Sequence, residues 1–122
     1  MNNPQTIKEA IMLYTQAWNE KEPINIKAKI ERCWADDATY VDAQNPLVKG
    51  IDGITNLITR SYGQLPIRTF GLPAQPEYHN QSGRFRWTLV QPEQEDQEGM
   101  DYFEYNEANL ITRIVGFPGA LA

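Results

Sequence analysis

The sequence holds a single cysteine, Cys33, and a single histidine, His79. One cysteine excludes an intramolecular disulfide framework and fits a reducing compartment, so a cytoplasmic protein is expected. No metal-ligand spacing surrounds His79, and no glycine-rich phosphate loop or dinucleotide fingerprint occurs. Neither metal nor organic cofactor is therefore expected. No serine sits in a nucleophile-elbow context, and Cys33 falls on an apolar helix face, where an inert thiol is the ordinary case. The N-terminal stretch "MNNPQTIKEA" lacks the basic-then-apolar pattern of a leader, and no apolar run reaches membrane-spanning length. Positive charge is also in deficit. The formal net charge of −5 disfavours nucleic acid and anionic membrane as partners.

What remains is material for one core. Hydrophobic residues make up 41% and aromatics 11% of 122 residues, which suits a single domain over 1–122 without linker or repeat. Asn3 followed by Pro4 reads as a helix start, and Ile7, Ile11, Tyr14 and Trp18 then share one helical face. Pro23 opens a second helix with Ile26, Ile30 and Cys33 inward and Trp34 beside them. Asp36 and Asp37 read as helix-end and turn residues, and "ATYVD" (38–42) as a strand with Ala38, Tyr40 and Asp42 on one face. Gly50 leads into a third helix carrying Ile54, Leu57, Ile58 and Tyr62. From residue 67 the pattern turns to strands: "IRTFGL", "RFRWTLV", "MDYFEYN" and "LITRIVGF", with "EQEDQEG" as a polar hairpin loop. Pro73 and Pro76 confine the segment after the first of these strands to an edge or a bend. Helices first and an antiparallel sheet afterwards make an α+β domain.

Chemistry falls to carboxylates and phenols on faces that should be buried. Asp42 shares a strand face with Tyr40, Asp101 shares one with Phe103 and Tyr105, and Tyr14 lies on the apolar face of the first helix. Burial raises a carboxylic acid's pKa unless it is paired, so such positions can supply a base or a neutral donor. The competing reading is structural: a buried aspartate often holds a turn, and a tyrosine at helical spacing is usually core. Phe85, Trp87 and Leu89 share the better pocket face, which sends Arg84 and Arg86 outward, where Glu104 is the expected partner for one of them. His79, in "PEYHN", reads as an exposed turn residue. Only an inward orientation would give it a proton-shuttle role.

The order helix, helix, strand, helix, sheet resembles the nuclear transport factor 2-like superfamily. "CWADDATYVDAQNPLVKG" is similar to its first-strand segment, and "GRFRWTL" with "GMDYFEYNEANLITRIVGF" to the sheet of its SnoaL-like branch. The resemblance covers nearly the whole chain. It implies a cone in which three N-terminal helices pack in a curved, mainly antiparallel sheet. "LYTQAWNEKE", "ADDATYVD" and "MDYFEYN" further resemble segments of ketosteroid isomerase. That likeness places Asp42 at the base, and Tyr14 and Asp101 at the two donors of the oxyanion hole. Ala43 stands where that enzyme has proline, and Arg84 and Arg86 flank Phe85 where it is apolar. Within this frame the substrate-binding lining falls to Trp18, Trp34, Tyr62, Phe85, Trp87, Phe103 and Ile114.

Three functions are compatible with these residues. The first is a cofactor-independent proton-transfer enzyme of isomerase, dehydratase or cyclase type, acting on a small apolar carbonyl compound. The second is a pocket that binds a small apolar ligand without catalysis, and the third a dimerisation domain whose cone is filled by its own side chains. A homodimer through the outer sheet face around Arg84, Arg86, Tyr102 and Glu104 is expected. Asp42 is expected to be buried with few partners, so that Asp42→Asn should leave stability equal or higher. The loop "EQEDQE" is expected to be dispensable for folding, since four of its six residues are acidic.

Overall fold

The computed structural model describes residues 4–119. The expected Asn3 cap lies outside that range. The first helix, α1 (Ile7–Trp18), is capped instead by Thr6, whose Oγ1 accepts from Glu9 N at 3.1 Å. Glu9 Oε2 in turn accepts from Gln5 N at 3.3 Å, so side chain and backbone satisfy one another across the first turn. Helix α2 (Pro23–Cys33) starts on proline as its sequence dictates, and buries Ile26, Ile30 and Cys33. Helix α3 (Gly50–Gln64) buries Ile54, Leu57 and Ile58. No helix among the described residues is long and apolar enough to cross a membrane.

Among the described residues seven strands form one curved, unclosed sheet: β1 (Trp34–Asp42), β2 (Val48–Lys49), β3 (Thr69–Gly71), β4 (Glu77–His79), β5 (Ser82–Val90), β6 (Gln97–Tyr105) and β7 (Ile111–Pro118). The strand order is β2-β1-β7-β6-β5-β3, with β4 also paired to β5. All pairings are antiparallel except β1 with β7. This is the expected α+β arrangement. The helices cover the inward residues Phe103, Ile111 and Ile114, which pack with Ile11, Ile30 and Ile58 into the core.

Four local differences from the sequence reading have physical causes. Strand β1 begins at Trp34, four residues early, and contains Asp36 and Asp37 rather than following them. Its register against β7 shifts between Trp34 and Thr39, which resets the alternation and turns both aspartates to solvent. His79 closes β4, and Asn80 and Gln81, both with positive φ, make a two-residue turn into β5. The imidazole is exposed, so the inward orientation that would have made it a proton shuttle does not occur. Arg84 pairs with Glu77 at 2.9 Å, and Glu104 approaches Arg113 at 3.8 Å instead of Arg84 or Arg86. Register decides this, because Glu77 stands opposite Arg84 and Arg113 opposite Glu104.

The fourth difference concerns the acidic loop. Gln97 and Glu98 already belong to β6, opposite Leu89 and Thr88, so the unpaired stretch ends at Asp96. Residues 91–95 have no buried side chain, and the loop lies outside the core. Replacing residues 91–95 by Asn-Gly should shift the melting temperature by less than about 4 °C, the change that roughly 1 kcal/mol produces in a domain of this size. Calorimetry on the shortened protein checks this, and a larger loss would show that the loop packs against the sheet.

Candidate functional site

The open end of the sheet and the helices above it enclose a cavity of about 360 Å³. Its floor is one row of inward residues across three strands. Asp42 on β1 and Asp101 on β6 are both register partners of Gly116 on β7, which stands between them. A side chain at Gly116 would meet both neighbours: its Cβ would lie 3.1 Å from Asp101 Oδ1, 3.2 Å from Asp42 Cβ and 3.4 Å from the Tyr40 hydroxyl. Glycine there leaves the two carboxyl groups facing one cavity.

The two acids are built differently. Asp42 ends β1 and organises the loop after it. Its Oδ1 accepts from Gln44 N and Asn45 N, both at 2.8 Å, and from Asn45 Nδ2 at 3.0 Å. Its Oδ2 accepts from the Tyr40 hydroxyl at 2.6 Å and from Asn45 Nδ2 at 3.1 Å. Every contact is one in which the carboxyl accepts, the bonding pattern of an ionised carboxylate. Asp42 is also only half-buried. The expectation of a buried, poorly partnered acid is thereby overturned, and with it the expectation that Asp42→Asn carries no stability cost.

Asp101 has the opposite setting. It is 5% exposed, and among the described residues one donor reaches it, Trp87 Nε1 at 2.9 Å from Oδ1. Burial raises its pKa to about 7, the Trp87 bond opposes that rise, and the Asp42 charge adds to it. Trp87 can reach Asp101 because its cross-strand neighbour is Gly99, where any Cβ would overlap the indole ring. The ring crosses the empty position to the acid two residues along the same face.

Phenols and aromatic rings complete the upper wall. Burial raises the Tyr14 pKa well above its ordinary value, with Tyr40 and Asp101 adding to the effect. Burial likewise raises Tyr40, followed by the Asp101 charge and the bond to Asp42. Both hydroxyls are therefore proton-bearing throughout the physiological range. Tyr14 stacks on Trp34 at 5.6 Å between centroids and meets Phe85 edge-on at 6.3 Å. Trp18 contacts Phe70 edge-on at 5.4 Å, and Phe70 contacts Trp87 at 5.9 Å.

Of the ten residues singled out in the sequence, the cavity brings together Tyr14, Trp18, Asp42, Phe85, Trp87 and Asp101. The other four do not line it. Trp34 is 1% exposed and lies behind Tyr14 as its stacking support. Phe103 and Ile114 face each other one inward row beyond Asp101 and Gly116, where the helices close over the sheet. Tyr62 sits on α3 over the guanidinium of Arg68. Tyr40, placed with Asp42 by the sequence, also lines the cavity, as do Asn45, Phe70 and the α3 side chains Arg60, Ser61 and Gln64, which the sequence reading passed over. "DAQN" does carry a signal for Asn45, an aspartate with turn-forming residues after it. The α3 residues had only their place at the polar margin of an amphipathic helix. Among the described residues no group of three or more His, Cys, Asp or Glu side chains is placed to hold a metal ion.

A curved sheet around three helices, with its cavity at the open end, defines the nuclear transport factor 2-like class. The chain has the fold of that superfamily and is similar to proteins of its SnoaL-like branch. A SnoaL-like protein of Agrobacterium tumefaciens, provisionally called an isomerase, is 28% identical, with a TM-score of 0.83 over 91% of this chain and 95% of that one. A SnoaL-like protein of Jannaschia, provisionally called a polyketide cyclase, is 11% identical with a TM-score of 0.73, covering 97% of this chain and 91% of its own. A protein of unassigned function with a ketosteroid isomerase-like fold from Catenulispora acidiphila, in complex with trimethylamine, is 14% identical. Its TM-score is 0.75 over 97% of this chain and 88% of its own. No protein-family model matches the sequence, and no curated protein does.

The Asp101 setting makes a measurable link between pH and stability. Its folded pKa of about 7 lies above the ordinary carboxylate value, so the folded state holds its proton more tightly than the unfolded chain. This group's contribution is most favourable below about pH 4, weakens as pH rises through 7, and is constant above that. Asp101→Asn keeps an acceptor for Trp87 and removes the titration. It should be more stable than the parent protein at pH 8, by an amount on the order of 4 kcal/mol, and no more stable near pH 4. Urea denaturation at both pH values measures the difference, and a gap that does not change with pH would contradict the assignment.

Proposed function

We propose that the cavity binds a small carbonyl compound and moves a proton on it without a cofactor. The observation that carries this reading is the pair of carboxyl groups flanking Gly116. One accepts hydrogen bonds at both oxygens, and the other is held near neutrality in an apolar setting. Two acids with opposed environments divide the roles of base and donor. Asp42 takes the proton from the carbon next to the carbonyl. Asp101 in its protonated form and Tyr14 donate hydrogen bonds to the oxygen as negative charge develops on it. Tyr40 and Asn45 hold the Asp42 carboxylate in place. Return of the proton at another carbon gives isomerisation, expulsion of a β-substituent gives dehydration, and attack on a second carbonyl gives cyclisation. The volume of about 360 Å³ lies at the small end for ligand pockets and suits a compact substrate.

A second reading has an observation in its favour. The five contacts at Asp42 engage both of its oxygens, which suits an acid that fixes a loop over a binding pocket rather than one that abstracts protons. Asp42→Asn separates the two. Loss of these contacts should lower stability by about 1–3 kcal/mol. Under the enzyme reading it also lowers proton exchange or isomerisation of enone and β-keto test compounds by at least about a hundredfold. Tyr14→Phe lowers the same rate by less, because Asp101 remains as a donor. Activity that survives Asp42→Asn would leave the base unassigned and favour the binding reading.

We also infer that two copies pair through the outer face of β5, β6 and β7. Met100 and Phe117 are neighbours there, as are Tyr102 and Val115, with Arg84, Arg86 and Arg113 around them. Phe117 is 49% exposed in the isolated chain. Light scattering at micromolar concentration should give twice the chain mass of 14.0 kDa, and Phe117→Lys should shift it toward one. A parent protein that scatters as a single chain would dismiss the pairing.

A further inference from the structure

Behind one wall of the cavity lies a cation that the proposed chemistry does not use. Arg68 is 6% exposed, and its Nε and Nη2 atoms are buried with no hydrogen-bond partner among the described residues. Three rings surround the guanidinium, with Cζ 5.2 Å from the Phe70 centroid, 5.6 Å from Tyr62 and 6.0 Å from Trp18. Rings satisfy the faces of a guanidinium, through cation–π attraction, and leave its N–H edge unanswered. The edge left open is specific. Nε–H and Nη2–H point the same way and form the fork that matches two oxygens of one carboxylate. An unpaired buried charge is costly, and such an edge calls for an anion from outside the chain.

The cavity is where that anion has room. Trp18 and Phe70 cage Arg68 and also line the cavity, so the guanidinium stands directly behind its wall. Phe70 is fixed there by paired bonds with the side chain of Asn19, at 2.7 and 2.9 Å. Arg60, on the α3 side of the same cavity, is exposed, and neither arginine belongs to an ion pair among the described residues.

We infer that the ligand carries one carboxylate besides its carbonyl group, and that this carboxylate docks on the α3–β3 wall. Arg60 receives it at the rim, and movement of a caging ring opens the Arg68 fork to it. This rests on the reading of the cavity as a binding site for a carbonyl compound, and it changes the ligand from wholly apolar to an oxo acid with an apolar body.

Matched acid and methyl-ester pairs test it: phenylpyruvate with its methyl ester, and 4-oxo-4-phenylbutanoate with its methyl ester. Binding is followed by quenching of Trp18 and Trp87 fluorescence and by calorimetry. The acid of at least one pair should bind about tenfold or more tightly than its ester, the scale of a charge-assisted hydrogen bond. Arg68→Met should bring the acid down to the affinity of the ester, and Arg68→Lys, which keeps the charge and loses the fork, should retain part of the preference. If Arg68→Met fails to fold, the parent protein and Arg68→Lys still decide. Equal affinity for acid and ester in the parent protein overturns the inference and leaves the carbonyl pocket standing. Binding of neither member of any pair overturns both. A preference that keeps its full size in the Arg68 variants removes Arg68 from the site.

Discussion

Parallel pairing of β1 with β7 is the constraint on which the rest of the molecule depends. A parallel pair cannot be closed by a tight turn, so the whole chain from residue 43 to residue 110 serves as the connection between these two strands. Their register fixes the chemistry. Tyr40 stands beside Ile114 and Asp42 beside Gly116, and β7 then hands the same row to β6 through Gly116 and Asp101. A slip of one residue would turn Asp42 to the outer face and Val41 inward. Ala38 and Tyr40, buried on the same face of β1, make such a slip expensive, because both would have to leave the core.

The row also shows how one sheet supports two different acids. Asp42 sits where the strand ends, so backbone N–H groups of the next loop are free to solvate it. Asp101 sits in mid-strand, where the backbone donors are already committed to the ladder, and only a side chain can reach it. That difference in strand position separates an accepting carboxylate from an acid held near neutrality. Glycine is needed on either side of Asp101 for this to work. At residue 116 it keeps the space between the carboxyl groups open, and at residue 99 it lets the Trp87 ring lie flat enough to donate.

Much of this was legible in the sequence, and the parts that were not share a cause. Period-two alternation placed Tyr40 with Asp42, and Asp101 with Phe103, because strand geometry is local and the side-chain period is rigid. Depth along the sheet is not local. Phe103 and Ile114 share the inward face with Asp101 and Gly116, yet the helices cover one row and leave the other open. No pattern within a strand reports where a helix on top of it stops. The early start of β1 escaped for a related reason: "DD" is poor strand material, and the shift that accommodates it depends on β7, far away in the chain. Thr6 rather than Asn3 as the cap of α1 is an ordinary ambiguity between two adequate capping residues. The partners of Asp42 were hidden because an acid at a strand end and an acid facing a cavity look alike until the loop is folded.

Arg68 was invisible for a deeper reason. It is the second residue of "IRTFGL", where strand alternation says nothing of its neighbours, and its significance lies in three rings contributed by α1, α3 and β3. This suggests a division of labour within the fold. The sheet floor, built from strands whose register is hard to change, carries the two carboxyl groups proposed to act on a carbonyl compound. The α3–β3 wall, built from a helix margin and a short edge strand, carries the groups proposed to select the ligand. A frame shared by enzymes, binders and association domains does not by itself fix function. In this chain Arg60 on the wall and Arg68 behind it, neither in an ion pair among the described residues, set the site apart from an apolar pocket, and buried, unanswered donors exert a larger effect on selectivity than added apolar area. A site that leaves them unpaired with the wrong ligand rejects it far more strongly than one that merely lacks a methylene contact.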